Sequence, residues 1–164
     1  MNDFVDRIKK LGVCKAFADK VENVGSKKQL MDVALSVAAL PWICENICKG
    51  NITPEEIAYS FSSFINGRYV RREDGYTSAI FCNPDTEEIV VNTTAVLIIG
   101  FYGRVVVPKN HVCEVHLCKS NVRFRGKGHI ELYAYDAWYD HSDVCHGTII
   151  YRKNPTDYGL VAPH

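Results

Sequence analysis

Two short stretches of this chain gather the residue types that bind metals and move protons. HVCEVHLC, His111 to Cys118, holds two histidines and two cysteines in eight residues. DAWYDHSDVCHG, Asp136 to Gly147, holds three aspartates, two histidines and a cysteine in twelve. The first reads as His111-x-Cys113 and His116-x-Cys118, four ligands of the kind zinc takes. On a strand, however, side chains alternate between faces. That sends 111 and 113 one way and 116 and 118 the other, so one half would need Cys145 and His146 to complete a tetrahedron. In the second stretch His141, Asp143, Cys145 and His146 are the candidate metal ligands of a metal-dependent enzyme. Cys145 and His146 also form a contiguous thiol–imidazole pair, but neighbours on a strand diverge, whereas a nucleophile and its base must meet. Asp140, His141 and Asp143 could act as acid or base, with no second constellation to act beside. No G-x-S-x-G, phosphate-cradling glycine loop or H-E-x-x-H is present, and no cofactor is called for. Asp136, Asp140, Ser142 and Asp143 are also turn formers that bond their own backbone. The simpler reading of the stretch is a polar connection at a sheet edge, anchored by Trp138 and Tyr139.

The elements that would carry these residues fall into two halves. Residues 1–66 read as helical. Phe4, Val5, Ile8 and Leu11 repeat at helical spacing, as do Val13, Phe17, Val21 and Val24. Ser26 and Gln29 form a capping box ahead of a stripe of Leu30, Val33, Ala34 and Val37. PWICENICKG predicts a helix stopped by Gly50, and TPEEIAYSFSSFI another that opens on Thr53, Pro54 and Glu56. Residues 67–76 read as a connecting turn. From Thr77 the period changes to two, predicting strands near 77–82, 88–92, 94–100, 103–107, 112–117, 121–125, 129–135 and 147–152. Turns at NPDT, PKN, CKSN and Gly126-Lys127-Gly128 separate them, the last read as a tight hairpin. The β region runs over 77–153, and 154–164 is a tail. Helices first and strands after predict an α+β fold: an N-terminal helical bundle followed by a C-terminal antiparallel β body. A meander, a barrel or sandwich, and a short β-solenoid all suit the strand pitch, although no exact repeat is visible.

Alternation also assigns faces. Val115 and Leu117, Val122 and Phe124, and Ile130, Leu132 and Ala134 point inward. As neighbouring strands they would leave Glu114, His116, Arg123, Arg125, Glu131, Tyr133 and Tyr135 on one solvent face. Cross-strand Glu–Arg pairs explain part of that pattern at about 0.2–1 kcal/mol each. Arginine beside tyrosine is also the composition of protein-binding hot spots. Arg68, Arg71 and Arg72, with Tyr69, extend the basic set and could hold phosphates, but Glu73 and Asp74 follow directly. The binding surface is therefore read as His116, Arg123, Arg125, Glu131, Tyr133, Tyr135, Arg68, Arg71 and Arg72.

Bulk properties narrow the class. The chain has 164 residues, 47% of them hydrophobic and 23% charged, which suits one ordered globular domain. Nineteen basic residues balance nineteen acidic ones, a poor composition for a dedicated nucleic-acid binder. The charge is unevenly spread. Arg104, Lys109, Lys119, Arg123, Arg125 and Lys127 face only Glu114 within residues 101–130, whereas acids predominate beyond 130. The basic strands either lie under the acidic tail or receive an acidic or phosphorylated partner; phosphate, nucleotide or nucleic-acid binding through them is the third functional reading. The longest apolar run, Thr94 to Phe101, is well short of the roughly 20 residues of a membrane span. MNDFVDRIKK lacks the apolar core of a secretion signal. Seven cysteines without a CxxC pair read as free thiols of a reducing compartment, so the expected location is cytoplasmic.

CENICKGNITPEEI, FINGRYV, GYTSAIFC and HVCEVHLC resemble strings in small uncharacterised proteins encoded by phages and prophages of gut Bacteroides-type bacteria. The resemblance runs over roughly residues 10–130. It implies a phage accessory protein in the cytoplasm of a bacterial host, acting on a host or phage protein, with inhibition of a defence system among the roles. It carries no catalytic residues to transfer. Together with the Arg/Tyr face it favours a non-enzymatic protein-interaction module, and exposed sheet edges invite self-pairing into a homo-oligomer.

Overall fold

The computed structural model of the chain describes residues 39–60, 65, 66, 69–71, 75, 77–140 and 146–152. A short strand β1 (Tyr69–Arg71) precedes β2 (Thr77–Cys82), β3 (Glu88–Val90), β4 (Ala95–Ile99), β5 (Tyr102–Val106) and β6 (Val112–Cys118). β7 (Asn121–Arg125), β8 (His129–Tyr135), β9 (Trp138–Asp140) and β10 (His146–Arg152) follow. They build two sheets, one ordered β1-β2-β4-β6-β8-β10 and the other β3-β5-β7-β9. From β2 onward each strand pairs in parallel with the strand two places along. The chain therefore winds as a β-solenoid, laying one strand in each sheet per coil. This corrects the antiparallel body expected from the sequence. Among the described residues only β1 and β2 run antiparallel. Alternation of apolar side chains is the same whichever way a neighbour runs, so it could not reveal the pairing. The corners decide it. Those between β2 and β9 are two to five residues long and carry the chain across to the opposite sheet instead of back beside itself. The intervening strand then supplies the long crossover that parallel pairing requires.

The pairing register shows why no repeat is legible. Ser78 pairs with Ala95, Ala95 with Glu114, Val112 with His129, and His129 with His146. These are steps of 17, 19, 17 and 17 residues. Like positions still stack. Ala79, Val96, Val115 and Leu132 make one inward column, and Phe81, Ile98, Leu117 and Ala134 another. Ile89, Val105 and Phe124 rise opposite them from the four-stranded sheet, and the two sets close into a single buried core.

Corners repeat as well. Asn83, Gly100, Lys119 and Asp136 follow β2, β4, β6 and β8, and all four take positive φ, between 45° and 64°. The amides of Asn83, Gly100 and Lys119 donate to Ile99, Cys118 and Tyr135, carrying the ladder around the bend. Gly100 packs beneath the Asn83 side chain so closely that a Cβ would strike its Oδ1. Gly126, read from sequence as part of a hairpin, is instead in the corner between β7 and β8. Its φ of 92° and the Val107 carbonyl leave no place for a side chain.

The helical bundle is likewise corrected. The helices expected before residue 39 lie outside the described residues. Those described are two, α1 (Ala39–Cys48) and α2 (Pro54–Ser60). α1 is followed by Gly50 at φ 81°, in the left-handed conformation that ends helices. Thr53 caps α2 by accepting from the Glu56 amide at 3.1 Å. They do not pack into a bundle of their own but onto the solenoid, α1 against β6 and β8 and α2 against β2. Ile43, Cys44, Ile47 and Ile57 are buried.

Candidate functional site

Because consecutive strands go to opposite sheets, the single face expected to unite Glu114, His116, Arg123, Arg125, Glu131, Tyr133 and Tyr135 is divided. β6 and β8 belong to the six-stranded sheet and β7 to the four-stranded one. His116, Glu131, Tyr133 and Tyr135 therefore lie on one outer face, and Arg123 and Arg125 on the other. Arg71 is described only as backbone, in β1, and Arg68 and Arg72 lie outside the described residues.

On the six-stranded side the outward positions sit partly under the helices. Leu97, Ile99, His116, Cys118 and Tyr135 are buried. Cys118 Sγ contacts the Cys44 carbonyl of α1 at 3.8 Å, and Cys82 Sγ the Pro54 carbonyl of α2 at 3.1 Å. His116, 1% exposed, stacks on Tyr133 with ring centroids 4.5 Å apart. Neither ring nitrogen makes a hydrogen bond, although Nε2 stands 3.6 Å from Glu114 Oε2. Glu114 pairs in register with Glu131. Burial, then these two carboxylates, hold the Tyr133 hydroxyl above its ordinary pKa.

The HVCEVHLC ligand set is dispersed. Cys113 points into the core, where burial and then Glu114 push its thiol pKa upward. His111 sits in a corner with Nε2 2.7 Å from the Thr93 carbonyl. Cys118 is raised first by its hydrogen bond with Cys44, and Cys82 is pushed up to about 11, mainly by burial. Thiols held protonated in this way are weak ligands and nucleophiles. Among the described residues no group of three or more His, Cys, Asp or Glu could hold a metal. His141, Asp143 and Cys145 lie outside the described residues, and His146 is described only as backbone in β10. Among the described residues no helix is long and apolar enough to cross a membrane.

The four-stranded side presents a different surface. Its outward positions form three rows. Tyr102, Asn121 and Trp138 make the first, Glu88, Arg104, Arg123 and Asp140 the second, and Val90, Val106 and Arg125 the third. Of the five exposed large hydrophobic side chains among the described residues, Val90, Tyr102 and Trp138 are here, so the face is not merely a solvated charged one. Arg104 Nε donates to Glu88 Oε2 at 3.2 Å. Tyr102, Gly103, Arg104, Asn121, Arg123 and Arg125 line an open depression of about 330 Å³. Tyr102, Arg104 and Trp138 were not among the surface residues expected from sequence. The steps of 19 and 17 residues linking Tyr102 to Asn121 and Trp138 are the signal that would have found them.

Comparison with protein-family models, curated proteins and solved structures finds no match to this chain.

Proposed function

We propose that the chain is a protein-binding module that engages its partner through the outer face of the four-stranded sheet. The observation that carries this reading is the clustering of Arg104, Arg123 and Arg125 with exposed Tyr102 and Trp138 on one face. Aromatic side chains and arginine are the residues enriched at interface hot spots. Parallel strands set the residues of a row about 4.8 Å apart, so their backbone positions are fixed before docking. The resemblance to phage-encoded proteins makes a host protein the first partner to seek.

The test is capture from host lysate by the purified chain, with the double charge reversal Arg123→Glu/Arg125→Glu as the decisive comparison. The variant should lose the captured protein, and Arg123→Glu alone, at an exposed position, should weaken capture while its melting temperature stays within about 2 °C of the parent. A capture that survives the reversal rules the face out.

A further inference from the structure

Resting on that reading, we propose that the open depression over the outer face of β5 and β7 binds a phosphate monoester carried on a side chain of the partner protein. Three guanidinium groups line it, with the Asn121 amide and the Tyr102 ring. Arg104 and Arg123 are direct register partners on adjacent strands, and Arg125 lies two residues farther along β7, on the same face. The three side chains thus start from a triangle with sides of about 5, 7 and 8 Å. A phosphate monoester offers three oxygens to such a triangle, where a carboxylate offers two. Arginine is suited to the task because its planar fork donates two parallel hydrogen bonds at once.

The position of the Glu88 carboxylate supports this assignment. It takes the Nε hydrogen of Arg104 at 3.2 Å, which leaves both terminal nitrogens of that guanidinium to donate elsewhere. Both side chains are 44% exposed, so the pair favours this orientation of Arg104 without locking it. The depression, about 330 Å³ and open to solvent, admits a phosphate together with the side chain that bears it. Exposed Tyr102 and Trp138 beside it provide apolar contact for the flanking residues of a peptide.

The same row argues against a nucleic acid. Glu88 and Asp140 stand at its two ends, in register with Arg104 and Arg123 respectively. A polyanion tracking across the sheet would meet a carboxylate on either side of two arginines. A single compact dianion can sit off that row, toward Arg125, and so meet less of both carboxylates.

Fluorescence polarisation with the full chain tests the assignment, using a degenerate peptide pool centred on phosphoserine. Its unphosphorylated counterpart, inorganic phosphate as competitor and a phosphorylated oligothymidylate are measured beside it. The phosphorylated pool should bind at least tenfold tighter than the unphosphorylated one. Arg123→Ala, at an exposed position, should remove most of that difference without lowering the melting temperature, and Arg125→Ala should remove it as well. Equal binding of the two peptide pools overturns the phosphate site. The protein-binding reading then survives only if the double charge reversal still abolishes lysate capture. Inorganic phosphate binding as tightly as the phosphopeptide overturns the partner as its source, and tighter binding of the oligothymidylate replaces the proposal with a nucleic-acid site.

Discussion

The two outer faces of the solenoid are built by one winding rule and end up as opposites. On both, parallel register stacks like positions from coil to coil. On the six-stranded sheet those positions are Ile80, Leu97, His116 and Tyr133, or Cys82, Ile99, Cys118 and Tyr135, under or beside α1 and α2. On the four-stranded sheet they are Glu88, Arg104, Arg123 and Asp140, with aromatic and apolar rows on either side. The first face spends its side chains on burial, and the second leaves them exposed. Strand chemistry already separates these outcomes, β4 being apolar on both faces where β5 and β7 turn arginines outward, and the helices pack on the apolar side.

The sharpest way to break the comparison is to place a charge on each face. Ile99, fully buried on the six-stranded side, stands in register between Cys82 and Cys118. Ile99→Asp is expected to cost about 3–5 kcal/mol, as an uncompensated buried charge does. Urea denaturation should show it unfolded or nearly so, in contrast to the charge reversal at Arg123. A loss below about 1 kcal/mol would mean that the six-stranded face is open to water and that the contrast is false.

How much of this was legible in the sequence follows from the same contrast. Alternation located β2 and β4 to β8 closely because apolar pairs such as Val122 and Phe124 must face a core wherever the neighbours lie. It also assigned Cys113 and His116 to different faces. It could not say that β7 leaves the sheet of β6 and β8, because strand direction and partner are set by corners of two to five residues. The signal was present in those corners. Asn83, Gly100 and Asp136 are residue types that tolerate positive φ and recur at coil spacing. Lys119 at the corresponding corner does not advertise it, and the unequal steps of 17 and 19 hide the rest. The candidate site was half legible for that reason. Arg123 and Arg125 were found on their own strand, but Arg104, Tyr102 and Trp138 join them only once the coil is known.

Titration offers a gentler probe of the covered face. Cys82 has its pKa raised from 9.0 to about 11, and Cys118 and Tyr133 on the same face are raised as well. Between pH 9 and 11 the unfolded chain releases the Cys82 proton while the folded chain keeps it. Stability contributed by the neutral thiol is therefore full below pH 9 and is lost as pH climbs through that window. The expected slope is on the order of 1 kcal/mol per pH unit. Cys82→Ala should flatten part of it in urea titrations, whereas Arg123→Glu/Arg125→Glu should leave it unchanged. An identical slope in the Cys82 variant would show that the thiol is not held by burial.

His116 gives the smallest expected effect and the one of unusual sign. Its imidazole is buried, stacked on Tyr133, and makes no hydrogen bond through either nitrogen. A polar ring whose one polar neighbour, the Glu114 carboxylate, stands 3.6 Å away recovers little of its desolvation cost, whereas a phenyl ring keeps the stacking and carries no polar atom to bury. His116→Phe should therefore stabilise the chain at pH 7, by about 1 kcal/mol, and raise the midpoint of urea unfolding. The same substitution at exposed Arg123 should do nothing for stability and weaken phosphopeptide binding. A destabilised His116→Phe would mean that the imidazole engages a partner on the covered face. That result would make the six-stranded side, and not only the four-stranded one, a place where polar chemistry is kept.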